Sequence, residues 1–242
     1  MPKTVQILIL ANSIRHGGYC VAGKLAMPLE NGEFKIVDQW IRLTNPDGDE
    51  GAVPHAKTLC PAPKQIHPLD IIQVELRGPC NNPDHPEDWY YEPASPWRFV
   101  SHADKSWLPL IADKPPRLWH DGGQPQSVHG GFVRAMTPPA FSICLIPGPQ
   151  KMDLYFWKKP VQDPHTGQMK SKYVRDLLFE HAGIDHEFSV TDPVFMEPIW
   201  KRMTDLPQVM RMPGASECFL CLSLGLEFHG RHYKICATIF ER

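Results

Sequence analysis

No run of 18 apolar residues occurs anywhere in this chain, so no helix of membrane-spanning length is encoded. An excess of one charge is lacking too: 25 Lys and Arg face 27 Asp and Glu, a net charge of −2. A protein that coats nucleic acid non-specifically carries a large positive excess, because it neutralises phosphates. Any nucleic-acid site here is therefore a local patch. The common catalytic signatures are missing. There is no Gly-x-Ser-x-Gly elbow, no Walker loop and no Gly-x-Gly-x-x-Gly turn. Asp and Glu are scattered without a metal-binding cluster, so no catalytic residue, metal or other cofactor is assigned.

Cysteine gives no framework either. The seven cysteines are odd in number, and several lie in apolar strand patterns. Met1-Pro2-Lys3-Thr4 leads straight into an apolar run with no signal peptide, so the expectation is a cytoplasmic chain with reduced thiols. Cys218-x-x-Cys221 lacks a second pair for zinc, and strand positions three apart point to opposite faces; both read as structural cysteines. Cys80-x4-His85, with His102 beyond, matches no standard zinc spacing and reads as a loop with surface histidine.

Proline is abundant, with 26 residues, about twice the average rate. The prolines cluster in connections (Pro61 and Pro63, Pro83 and Pro86, Pro115 and Pro116, Pro138 and Pro139), which predicts long stiff loops and an all-β fold. At the C-terminal end Leu220, Leu222, Leu224, Leu226 and Phe228 alternate with Phe219, Cys221, Ser223, Gly225 and Glu227. A His229-Gly230-Arg231 turn follows, and a second strand returns. Period two over so many positions is a strand signal. The chain begins alike: Val5–Ile14, a turn at Arg15-His16-Gly17-Gly18, then Tyr19–Ala26.

Further strands are predicted at Phe34–Leu43, Ile71–Arg77, Trp89–Glu92, Phe141–Ile146, Asp153–Lys159 and Phe188–Val190. Short helical pieces are expected between Ser106 and Gly123 and near Trp200, with a turn at Asp121-Gly122-Gly123. Lys170–His181 reads as the main helix. Ser171 would cap it, Gly183 sits just past its end, and Val174, Leu177, Leu178 and His181 fall on one helical face. With 242 residues there is room for two domains of about 100 to 120 residues each. The boundary is placed in Gly130–Pro139, dividing the chain into 1–135 and 136–242.

Four groups of residues are candidates for ligand binding. On a strand, Tyr155, Trp157 and Lys159 share one face, and aromatic rings beside a cation make a stacking platform for bases. The competing reading is a core strand whose rings are simply buried. Trp40 with Arg42 poses the same choice. The turn residues Arg15, His16, Gly17 and Gly18 form a third group, and His229, Gly230, Arg231 and His232 a fourth. These are glycine-flanked cationic hairpin tips whose backbone N–H and guanidinium could grip phosphate; the competing reading is that exposed turns are polar by default. Lys234 is counted with them as a ligand-binding candidate.

With these residues laid out, the chain resembles a bacterial family described as dual-OB-domain proteins. The resemblance rests on Ile7-Leu8-Ile9-Leu10-Ala11-Asn12-Ser13-Ile14-Arg15 with Gly17-Gly18 and Cys20-Val21-Ala22-Gly23. It rests also on Trp40-Ile41-Arg42, and on Ser223-Leu224-Gly225 with Gly230 and Tyr233-Lys234. It implies two tandem OB-like Greek-key barrels and a role in nucleic-acid transactions or defence against phage. It carries no catalytic residues. The expectation is thus an all-β protein acting as a non-catalytic binding module for single-stranded nucleic acid or a nucleotide-like ligand. The alternatives are a protein–protein adaptor in a defence or repair complex, and an enzyme with an unrecognised site between the barrels.

Overall fold

The computed structural model describes residues 2–15, 17–48, 51–60, 65–120, 132–134, 139–162, 166–214 and 217–241. The expected turn at Asp121-Gly122-Gly123, His16 of the first turn and most of Gly130–Pro139 lie outside the described residues. The chain forms two compact units, Met1–Asp113 with Thr137–Ile146, and Lys114–Met136 with Pro147–Arg242. By this division the chain passes between units three times. Hydrogen bonds return residues 139–146 to the first unit: Leu145 N donates to Asp113 at 2.7 Å, and Ser142 Oγ donates to Glu87 at 2.6 Å.

The first unit contains β1 (Lys3–Arg15), β2 (Gly18–Pro28), β3 (Phe34–Thr44), β4 (Asp70–Pro79), β5 (Asp88–Tyr91) and β6 (Arg98–His102). Pairing runs β1-β2-β3-β5-β4, and β4 pairs back onto β1, which closes a five-stranded barrel; β6 adds to the free side of β4. Only β3 and β5 are parallel in this ring. β1 pairs with β4 over Lys3–Leu8 and with β2 over Gln6–Arg15, and a bulge between Ile9 and Ala11 bends it past the stretch that both neighbours share. Val5, Ile7, Ile9, Val21, Ile41, Leu43, Ile72, Val74 and Leu76 fill the interior, together with Tyr91 and Trp97 in edge-to-face contact at 5.3 Å. Each such side chain contributes roughly 1.5–3 kcal/mol on burial. Gly23 is required by close approach: a Cβ there would stand 1.9 Å from the Leu8 carbonyl oxygen.

Next along the chain come α1 (Leu108–Ile111), β7 (Phe132–Arg134) and β8 (Ile143–Pro147); β7 pairs with the last strand and β8 closes the far edge of the second sheet. The second unit then has β9 (Met152–Gln162), β10 (Met169–His181), β11 (Ile184–Val190), α2 (Pro193–Trp200), β12 (Gln208–Arg211), β13 (Cys218–Glu227) and β14 (Arg231–Glu241). Its path repeats that of the first: an antiparallel meander β9-β10-β11, a parallel step from β11 to β14, then antiparallel β13. Here β9 carries β12 on its outer edge. Met152, Leu154, Phe156, Leu177, Phe179, Phe188, Val190, Leu220 and Cys236 are buried. Asp192 caps α2 by accepting from Val194 N and Phe195 N, and its second oxygen accepts from Ile239 N at 3.0 Å. No helix among the described residues is long and apolar enough to cross a membrane.

Among the described residues the fold is all-β with two short α-helices, as the alternating patterns require. The expected helix at Lys170–His181 is corrected: the segment is strand β10, paired with β9 from Met169 to Phe179. Gly183 is no helix stop. Ala182 and Gly183, at φ +53° and +76°, form the two-residue turn of the β10–β11 hairpin. The expected surface histidine at His85 is buried, with Nδ1 3.5 Å from Asp88.

Candidate functional site

Tyr155, Trp157 and Lys159 share the outer face of β9, because Leu154 and Phe156 turn inward and are buried. Tyr155 and Trp157 are half-buried and Lys159 is exposed. The register sets their neighbours: Tyr155 faces Asp176 on β10 and Val209 on β12, Trp157 faces Val174, and Lys159 faces Lys172. Lys170 lies on the same face one step further, opposite Val161. Lys170 and Lys172 escape a helical reading of this segment. Their signal is an alternation with Ser171 and Tyr173 that continues beyond the apolar part of the strand. Burial raises the Asp176 carboxyl above its ordinary value, against the Ser189 hydroxyl that donates to it at 3.0 Å.

In an OB barrel the ligand ordinarily lies on the face of the second and third strands, between the first and fourth loops. In the first unit that face is already occupied. Lys24 and Trp40 are paired across β2 and β3, with the ammonium 5.4 Å from the ring centre. Lys24 Nζ donates to Asp38 at 2.7 Å, to the Ile111 carbonyl at 2.9 Å and to Asp113. Asp113 accepts also from Trp40 Nε1 at 3.0 Å and from Leu145 N. The Lys24 hydrogen bond, against partial burial, holds the Asp38 carboxyl below its usual range.

Arg42 is buried on the same face. Its guanidinium reaches Asp88 at 3.0 Å and Ser142 Oγ at 3.0 Å, while Ser142 N and Oγ both donate to Glu87. Burial alone would raise the Asp88 carboxyl, but His85 and Arg42 together hold it below the ordinary range. Carboxylates of the same chain thus sit on both cations of this face.

The hairpin ends fare differently. Arg15 is half-buried, in register with Gly18. Arg231 is exposed beside a tight turn with His229 and Gly230 at φ +53° and +74°, and Phe228 next to it is also exposed. Lys234, by contrast, lies inside the second unit with its ammonium 5.3 Å from the Phe188 ring centre. Next to it is His186, whose two ring nitrogens have no hydrogen-bond partner among the described residues. Burial first, then the charges of Lys234, His181 and His120, push the His186 imidazole down to about 3.

The structure therefore keeps Tyr155, Trp157 and Lys159 together at a surface, adds Lys170 and Lys172 to them, and withdraws Arg42 and Lys234 into the interior. All seven cysteines are free thiols, and burial pushes Cys80 and Cys218 up to about 11, away from nucleophilic use. Among the described residues no group of three His, Cys, Asp or Glu side chains is arranged to hold a metal ion.

Five strands closing in the order 1-2-3-5-4, repeated as a path in the second unit, define tandem OB-type β units. The chain belongs to the family described as the dual OB-containing domain, whose family model matches residues 5–239. No curated protein matches it significantly.

Proposed function

We propose that the chain is a non-catalytic binding module for single-stranded nucleic acid, and that the ligand lies on the Tyr155–Trp157–Lys159 face of β9. The observation behind this reading is the alignment of two partly accessible rings and an exposed cation on one strand face. Successive outward positions on a strand are about 6.8 Å apart, so neighbouring rings can take separate bases. Base–aromatic stacking contributes roughly 1–3 kcal/mol per base and tolerates any sequence. The near-neutral whole and the covered face of the first unit favour a weak, local site over an extended coat.

Fluorescence anisotropy with a labelled oligonucleotide, beside thermal melts of the same samples, tests the reading on Trp157→Ala. The expected result is a loss of about 1–3 kcal/mol of binding. Its stability loss should stay below the roughly 3–5 kcal/mol of a fully buried Trp. A large stability loss, together with no oligonucleotide binding by the wild type, contradicts the proposal.

A further inference from the structure

Charge on the outer face of β10 changes sign along the strand. From the turn at 182–183 upward, its outward positions are Glu180, Leu178, Asp176, Val174, Lys172 and Lys170. β11 sets Asp185, Glu187 and Ser189 opposite the first three. β9 sets Tyr155, Trp157, Lys159 and Val161 opposite the last four. One end thus carries carboxylates from two strands, the other end carries lysines from two strands, and the rings stand at the crossover.

Lys159 and Lys172 are direct cross-strand partners. Opposed residues in an antiparallel pair have Cβ atoms about 4.5–5.5 Å apart, and like charges there weaken the pairing. Among the described residues neither ammonium makes a side-chain hydrogen bond or a close ion pair, and Lys172 feels only the longer-range charge of Asp176. Both are exposed, as is Lys170. An anion resting on this end of the face would relieve the repulsion and gain charge-assisted hydrogen bonds.

We propose that Lys159, Lys170 and Lys172 are the phosphate-binding half of the site, and that its occupant is an extended single strand lying across the lysine-bearing arm of the β9–β10 pair, with a base on Trp157. This rests on the nucleic-acid reading above and sharpens it. A duplex keeps its bases stacked inside and offers none to the ring. The carboxylate end repels phosphate, which confines the strand to the arm. An acidic polypeptide would satisfy the lysines and leave the rings without a stacking partner.

The test is a salt series of anisotropy titrations, with an oligo-dT of about 12 nucleotides, inside the range OB folds cover. It compares wild type, Trp157→Ala and the double variant Lys159→Ala/Lys172→Ala. Each lost phosphate contact on a single strand removes about 0.7 from the slope of log K against log salt, so the double variant should be shallower by about 1.4. Its Tm should be unchanged or higher, because the opposed charges are gone. Poly-glutamate of similar charge should displace the oligonucleotide poorly. An unchanged slope in the double variant overturns the lysine assignment; if Trp157→Ala still weakens binding, the reading of the β9 face survives that failure. Poly-glutamate competing as well as the oligonucleotide overturns the choice of ligand and makes the arm a dock for acidic protein. Failure of the wild type to bind oligonucleotide overturns both.

Discussion

At Asp113 one carboxylate accepts from Lys24, from the Trp40 indole and from the Leu145 amide. The sequence leaves Trp40 and Arg42 open between stacking platform and buried core, because their partners lie far along the chain, 73 residues away for Asp113 and 100 for Ser142. Nothing local in Trp40-Ile41-Arg42 announces them. The strand position was legible; the cover was not. His186 is a second residue whose state the fold sets, through burial first and then through the charges of Lys234 on β14, His181 on β10, and His120. Its imidazole titrates near 3 in the fold instead of near 6.5. Below about 6.5 the unfolded chain takes up a proton that the folded chain refuses. Stability from this group is therefore full at neutral pH and lost as pH falls from about 6.5 towards 3, by at most about 1.4 kcal/mol per pH unit. The raised carboxyls of Asp176 and Asp192 act in the opposite sense. Urea melts at pH 7 and pH 5 on wild type and His186→Gln isolate the term. The wild type should lose more stability than the variant across that interval, and equal losses would contradict the assignment.

Among the elements, β10 is the instructive one. Val174, Leu177, Leu178 and His181 fit a helical stripe, while the buried pair Leu177 and Phe179 fits period two. Short apolar runs satisfy both periods, and only pairing decides. A long register with β9 and a two-residue turn into β11 decide it for the strand. Ala182 occupies a turn position at φ +53°, a conformation that costs a non-glycine residue roughly 1–2 kcal/mol. Asn is favoured there, and Asn-Gly is the preferred pair for this turn. Ala182→Asn is therefore expected to raise stability by about 0.5–1 kcal/mol in chemical denaturation. A loss of stability would argue against the hairpin. The two end hairpins were legible because their alternation is long and their turns carry glycine. β6 and β12 were not, since each is a short strand with half or more of its positions exposed.

For the whole molecule, the all-β class followed from proline-rich connections and two β units from the hairpin at each end, whereas the OB-like barrels came from the family resemblance. The interlaced division between units followed from none of these, because tertiary hydrogen bonds, not composition, return residues 139–146 to the first unit. The two units repeat one strand path and differ in their outer faces. Carboxylates of the first unit's own chain hold its cations, whereas in the second unit two rings and three lysines stand on one accessible face. Ultraviolet cross-linking of the wild-type protein to an oligothymidylate, with the adduct located by peptide mass spectrometry, tests this difference most directly. The adduct is expected on the peptide carrying Tyr155, Trp157 and Lys159. An adduct confined to the peptides of Lys24, Trp40 and Arg42 would contradict the assignment of the ligand to the second unit.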